Sequence, residues 1–442
     1  MRFSRIAKPC LLTMALSSFS LAAHAATIKL QVEDVQSARG QIIASLCDDP
    51  AKPFPGGCLT YSARAAAQQG TTTLLFNDVK PGRYAIQVVH DENGNGRPDI
   101  PQEAFAFGND VPYPPAFDAA AITVTGDMTA HVRLVHMLSN GANPVETHGA
   151  APPDGVTRSD VRANGLYGEL YVPAHDRPLP LLIAIGGSEG GLDIMSSYAA
   201  GFAKHGYAVL ALAWWKAPGL PQTLENIPLE YFDHAVAWAK ARPEIAPDRI
   251  VMLGWSRGAE AALLTASRNS DIHAVIGVSP TAFVWLGLNF ANPAASKPAW
   301  TVTGKPLPFN VPGTLRPGEN FTQAFTAALA SADAKPEAII PVEKINGPVL
   351  LLSGSDDRLW PSGPMAARIV ARLKTQNFSF RVEHQNYPGA GHAVFVGDPA
   401  SAPRADTASV DAFMGGSAGA NDAARADSWL RVMRFLDVAL KR

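Results

Sequence analysis

The sequence predicts an α/β protein with a mostly parallel, doubly wound sheet, preceded by a small all-β sandwich. Three observations carry this. From about residue 161, continuous apolar runs such as LPLLIAI (179–185) and YAVLALA (207–213) alternate with segments of helical spacing. Such runs suit parallel strands covered on both faces, and regular strand–helix alternation implies a parallel sheet. Before that point the chain offers only short, β-branched runs separated by Gly, Pro, Asn and Asp, including IKLQVED, GQIIASL, TTTLLFNDV and GRYAIQVVHD. That texture is expected of a sandwich.

The 442 residues are too many for one average domain and divide accordingly. Residues 1–25 read as a cleaved signal peptide. Arg2, Arg5 and Lys8 precede the apolar run CLLTMALSSFSLAA, and Ala23-His24-Ala25 supplies a small-x-small cleavage site. The run is shorter than the roughly 20 residues a membrane span needs, and Cys10 stands too early in it to serve as a lipid-anchor cysteine. Export places the mature protein in the periplasm or outside the cell. Residues 26–138 then form the all-β domain, 139–160 a Gly/Pro-rich linker, and 161–442 the α/β domain. The Pro-, Asn-, Thr- and Gly-rich stretch 286–345 breaks the alternation and is expected to be a cap insertion or a long loop. No repeat of fixed period is visible.

A formal net charge of −2 gives no electrostatic reason to expect nucleic acid or anionic membrane as a partner. Removal of the signal leaves Cys47 and Cys58, which close a short Pro/Gly-rich loop. An even pair in an exported chain suggests a disulfide.

Chemistry enters with Gly254-Trp255-Ser256-Arg257-Gly258, a G-x-S-x-G motif between the apolar strand RIVMLGW and the helix GAEAALLTAS. That setting is the nucleophile turn of an α/β-hydrolase fold, which exposes the serine at the carboxyl end of its strand. A serine that merely capped the helix would need neither flanking glycine. A serine hydroxyl needs a base to take its proton, and in this fold the chain order is Ser, acid, His. Only His273, His384 and His392 follow Ser256. The first two sit in strands, whereas His392 lies in the loop PGAGH, suited to a base that must reach another loop. The acid belongs at the end of SGSDD, where Asp357 is favoured by its spacing from Gly354, with Asp356 as the alternative. One oxyanion donor is expected from the amide of Arg257. The other is expected from Ser188 or Gly187 in the loop GGSEGG, which lacks the lysine of a phosphate cradle.

Asp91, Asn93, Asn95 and Asp99 in DENGNGRPD resemble the start of a calcium loop, although Glu103 is one residue late for the last ligand and an Asn/Gly hairpin turn explains the pattern equally simply. No other cofactor is expected. Trp214 and Trp215 are expected either to line an acyl pocket or to pack the cap. Glu260 and His90 read as structural, and Glu225, Glu230 and Asp233 as a solvated helix face within LENIPLEYFDHAVAWAKARP.

Over residues 165–442 the chain resembles the bile acid-CoA:amino acid N-acyltransferase and acyl-CoA thioester hydrolase family, in its C-terminal catalytic domain. IAIGGSEGGL, GYAVLALAWWKAPGLPQTLENIPLEYFDHAVAWA, MLGWSRGAEAALLTAS, GPVLLLSGSDDRLWPSGPMAARIVARLK and YPGAGH carry the resemblance. It implies Ser256 as nucleophile, Asp357 as acid and His392 as base. Serine rather than cysteine at the nucleophile implies hydrolysis rather than transfer to an amino acid. The family's usual N-terminal sandwich is absent. Residues 27–136 instead resemble a bacterial domain family of unknown function, through YAIQVVHDENGNGRPD and PQEAFAFGND. Export argues against coenzyme A thioesters, which are chiefly intracellular. The expected activity is therefore cleavage of a small-molecule acyl thioester or ester through a Ser256 acyl-enzyme. A carboxylesterase or dienelactone-hydrolase-like enzyme is the alternative, and a surface-binding module beside an inactive hydrolase domain is the non-enzymatic one.

Overall fold

The structure, a computed structural model, describes residues 25–440 apart from 53, 95, 97–102, 112–114, 137–151, 290–294, 317–318, 399–410 and 412. The proposed signal segment therefore lies outside the described residues, as does most of the proposed linker.

Eight strands make up the N-terminal region: β1 (Ala26–Val35), β2 (Gln41–Cys47), β3 (Tyr61–Ala66), β4 (Gly70–Val79), β5 (Gly82–Asp91), β6 (Phe105–Phe107), β7 (Ala121–Val124) and β8 (Met128–Arg133). They form two sheets, ordered β4-β1-β8 and β3-β2-β5-β6, with β7 pairing β5. Alternation decides which side chains face inward. Ile28, Leu30 and Val32 of β1 meet Ile42, Ala44 and Leu46 of β2 and Ile86 and Val88 of β5 in one buried cluster. A four-residue helix, α1 (Phe117–Ala120), leads into β7. Cys47 and Cys58 are joined by a disulfide with Cα atoms 5.2 Å apart.

The rest of the chain builds an eight-stranded sheet from β9 (Val156–Val161), β10 (Tyr167–Pro173), β11 (Leu179–Ile185), β12 (Ala208–Ala213), β14 (Ile245–Trp255), β15 (Ala274–Val278), β18 (Val349–Gly354) and β19 (Val382–Tyr387). The order is β19-β18-β15-β14-β11-β12-β10-β9. The pairs from β12 through β19 are parallel, while β9 and β10 run antiparallel at one edge. This is the α/β-hydrolase fold. Every residue of β11, β12, β15 and β18 is buried, as their unbroken apolar runs require. The flanking helices are α2 (Asp193–Lys204), α3 (Glu230–Lys240), α4 (Arg257–Ala266), α6 (Ser362–Thr375) and a C-terminal helix, Ala418–Leu440. None of the described helices is long and apolar enough to cross a membrane.

Two expectations are corrected. The linker does not extend to 160, because Val156–Val161 is an edge strand pairing β10; its outward polar residues hid it. The helix expected from Leu224 begins only at Glu230, since Asn226 adopts φ +53° and Ile227–Pro228 forms a short strand, β13. A proline inside a helical pattern breaks it at the residue before, so Pro228 marks the boundary. Glu225 is consequently not on a solvated helix face. It is buried and accepts from Thr223 Oγ1 at 2.8 Å and from the Lys297 amide at 2.7 Å. Glu230 and Asp233 are on the helix but half-buried, and accept from the Thr303 amide and Asn269 Nδ2.

The excursion before β18 is built rather than loose. β13 pairs with β16 (Trp300–Val302), and β16 with β17 (Lys305–Pro306); helix α5 (Phe321–Asp333) follows, closed at its start by an Asn320–Gln323 capping box.

Candidate active site

Ser256 sits between β14 and α4 with φ +57° and ψ −120°, a backbone conformation that costs energy for a non-glycine residue. The two motif glycines make the turn sterically feasible. A Cβ on Gly254 would lie 2.1 Å from the Gly258 carbonyl oxygen, and one on Gly258 would lie 2.1 Å from that of Gly186. Strand, helix and the loop after β11 thus meet in contact that any side chain would wedge apart.

His392 comes from the loop after β19 and is 1% exposed. Its Nδ1–H donates to Asp357 Oδ2 at 2.8 Å, while Nε2 is buried and has no hydrogen-bond partner among the described residues. The backbone around it is held firmly. Its amide donates to the Met414 carbonyl, and its own carbonyl accepts from Ser279 Oγ at 2.6 Å. Trp255, beside Ser256, and Trp360, beyond Asp357, bring their rings to 5.6 and 6.1 Å from the imidazole.

The two adjacent carboxylates separate clearly. Asp357 is buried. Oδ1 accepts from the amides of Leu359 and Trp360, and Oδ2 from Ser362 Oγ at 2.6 Å as well as from His392. Asp356 is half-exposed, turned away toward the Gly416 amide and Arg358. Four donors on one buried carboxylate fix its orientation.

In the loop GGSEGG the Gly187 amide donates to Glu189 Oε1 at 2.6 Å. This corrects one expectation: that N–H is already engaged, so of the two residues named for the second oxyanion donor, Ser188 and not Gly187 remains suited. Trp214 and Trp215 are both buried, and their indole N–H groups donate to the carbonyls of Gly186 and Gly187 at 3.0 and 3.1 Å. They brace this loop, a use neither sequence expectation included. Trp214 also packs on Trp300 of the excursion at 5.0 Å.

Glu260 of α4 is fully buried beneath the site. It pairs with Arg257 Nε at 3.1 Å and accepts from the Trp285 amide at 3.0 Å and Trp300 Nε1 at 2.7 Å. It thereby pins the excursion to the helix that carries Ser256. The excursion also reaches the acid loop, where Thr322 Oγ1 donates to the Asp357 carbonyl at 2.6 Å. Phe325 of α5 stands between Trp285 and Trp360, forming an aromatic wall that ends at His392.

His273 and His384 lie apart from this cluster: His273 Nδ1 accepts from the Ile250 amide, and His384 Nε2 hydrogen-bonds Ser353 Oγ. His90 is buried and hydrogen-bonds the Arg39 carbonyl. For the calcium candidates, Asp91 Oδ2 accepts from Gln41 Nε2 and the Gly96 amide, and the Asn93 amide approaches Glu103 at 3.5 Å. Asn95 and Asp99 are outside the described residues. Among the described residues no three His, Cys, Asp or Glu side chains gather as a metal site would require.

Fold and site together define an α/β-hydrolase-fold protein with a serine in the G-x-S-x-G turn between β14 and α4 and a buried His–Asp pair. Residues 227–442 match the family described as BAAT / Acyl-CoA thioester hydrolase C terminal. The peroxisomal succinyl-coenzyme A thioesterase of Mus musculus is 30% identical over 303 residues, covering 66% of each chain. The bile acid-CoA:amino acid N-acyltransferase of Mus musculus is 28% identical over 287 residues, 64% of this chain and 65% of that one. The chain thus spans just under two thirds of the length of the curated relatives it matches. A solved structure of a putative dienelactone hydrolase from Klebsiella pneumoniae is 17% identical and covers 64% of this chain and 97% of that one, with a TM-score of 0.38. Residues 30–132 match a family described as an uncharacterised protein conserved in bacteria.

Proposed function

We propose that the protein is a serine hydrolase that cleaves an acyl thioester or ester through an acyl-enzyme on Ser256. The observation that carries this is the buried His392–Asp357 pair, whose imidazole keeps Nε2 unpartnered in a loop packed against the Ser256 turn. Neutral imidazole takes the serine proton as Oγ attacks the carbonyl carbon, and Asp357 stabilises the resulting imidazolium. The amides of Arg257 and Ser188 hold the negative oxygen of the tetrahedral intermediate. The imidazolium returns its proton to the departing thiolate or alkoxide, and water attacks the acyl-enzyme by the same route.

Similarity to the BAAT / acyl-CoA thioester hydrolase family and to proteins named acyl-coenzyme A thioesterases supports a thioester substrate. Export, proposed from the N-terminal pattern and in keeping with the Cys47–Cys58 disulfide, favours a carrier other than coenzyme A. A periplasmic or secreted location follows from that reading.

The test is a hydrolysis screen of the mature protein on acyl-CoA thioesters and p-nitrophenyl esters of graded chain length, paired with a fluorophosphonate probe. Labelling lost in Ser256→Ala supports the mechanism; folded wild-type protein that neither labels nor hydrolyses overturns it.

A further inference from the structure

Glu189 has no part in the reaction as written, yet its carboxylate lies within the oxyanion loop. Only 8% of the residue is exposed, and Oε1 takes the Gly187 N–H at 2.6 Å. A Cβ placed on Gly187 would sit 3.0 Å from Glu189 Oε2 and 2.9 Å from Ser256 Cβ, so the carboxylate and the serine flank the same peptide. From the other end Trp215 Nε1 holds the Gly187 carbonyl at 3.1 Å. In a trans peptide the N–H of one residue points opposite to the C=O of the residue before. Fixing the Gly187 carbonyl toward Trp215 therefore aims the Ser188 N–H away from it.

We infer that Glu189 is a positioning residue. Together with Trp215 it clamps Gly187 so that the Ser188 amide is preset as the second oxyanion donor. The inference rests on the serine hydrolase reading above.

The clamp is also sensitive to charge. Burial pushes the Glu189 carboxyl up to about 7, against the pull of its own amide and that of Gly187. Tyr198 of α2 senses the charge of Glu189, and Arg425 acts on Tyr198 in turn. Burial and then Glu189 raise Tyr198, and Arg425 of the C-terminal helix opposes them. Arg425 is itself engaged by Asp411 at 2.5 Å. Below neutrality Glu189 is a neutral acceptor for the Gly187 N–H. Above it, an anion stands beside the place where the substrate oxygen becomes negative. Glu189 thereby imposes a fall in turnover on the alkaline side.

The experiment compares kcat and KM from pH 5 to 9 for wild type, Glu189→Gln, Glu189→Ala and Trp215→Phe, with fluorophosphonate labelling of each and thermal melts to confirm folding. Glutamine keeps the acceptor without the charge. Glu189→Gln should hold kcat within about threefold of wild type at pH 6 and lose the alkaline fall. Glu189→Ala and Trp215→Phe should lower kcat about 10- to 100-fold with little change in KM, short of the roughly 10²–10³ lost when a donor is removed outright. A folded Glu189→Ala enzyme with unchanged kcat overturns the inference, as does an alkaline fall that persists in Glu189→Gln. If Glu189→Ala does not fold, the Glu189→Gln profile decides alone. An inactive, unlabelled wild type would defeat the hydrolase reading and this inference with it, a result distinct from the other two.

Discussion

Ser362 Oγ and His392 Nδ1 donate to the same oxygen of Asp357, at 2.6 and 2.8 Å. The hydroxyl at the start of α6 therefore shares the lone pairs that orient the base. Replacing Asp357 with Asn should lower kcat about 10³–10⁴-fold, because an amide nitrogen facing Nδ1 favours the wrong imidazole tautomer and an amide oxygen there carries no charge to stabilise the imidazolium. Ser362→Ala removes one charge-assisted bond and should cost about tenfold in kcat with KM unchanged. Asp356→Asn should stay within about threefold. Steady-state kinetics on the three variants checks the order, and a larger loss at Asp356 than at Asp357 would reverse the assignment.

Glu260 is fully buried and carries three partners at once. Glu260→Ala strands the Arg257 guanidinium in the interior and should destabilise the fold by about 3–5 kcal/mol. At this size that is a fall in Tm of about 5–15 °C. Differential scanning calorimetry reads it directly, and Glu260→Gln, which keeps the acceptor for the Trp300 indole, should lose less.

The Cys47–Cys58 bridge closes a loop with a sequence separation of 11. Replacing both cysteines with serine should destabilise the N-terminal sandwich by about 3 kcal/mol on the loop-entropy account. The effect should appear as a shift in unfolding, equalled by reductant on the wild type, with hydrolysis at 25 °C unaltered.

Glu189 makes a separate prediction about stability. Its folded-state carboxyl is raised to about 7 from 4.5, so it contributes stability fully present below about pH 4.5 and lost as pH climbs through 7. The wild type should lose on the order of 2–3 kcal/mol between pH 5 and 8 relative to Glu189→Gln. Urea unfolding of both proteins at the two pH values measures the difference; parallel pH dependences would contradict it.

The main lines of the fold were legible because β11, β12 and β18 are uninterrupted apolar runs and the G-x-S-x-G turn announces itself by its glycines. Choosing between Asp356 and Asp357 was harder, since side chains of neighbouring residues diverge and only the loop geometry turns one of them to His392. Glu225 was misread for a different reason: three acidic residues at helical spacing outweighed Pro228. Glu260 and the two tryptophans were visible as residues but not as struts, because their partners lie in the excursion or the oxyanion loop, and no local pattern records such pairings. Glu189 could have been noticed as a charged residue between two glycine pairs, an unusual occupant for a loop packed against Ser256.

The base loop depends on residues that come after it in the chain. Asn421 accepts from the Gly391 amide at 2.8 Å and donates to Gly415, Arg425 Nε donates to the Ala393 carbonyl, and Ser428 Oγ to that of Val394. During synthesis these partners emerge later than Ser256, Asp357 and His392. A growing chain thus holds Ser256, Asp357 and His392 before it holds the residues that fix the His392 loop, and on the proposed mechanism their arrangement is completed only when the segment through Ser428 has folded back.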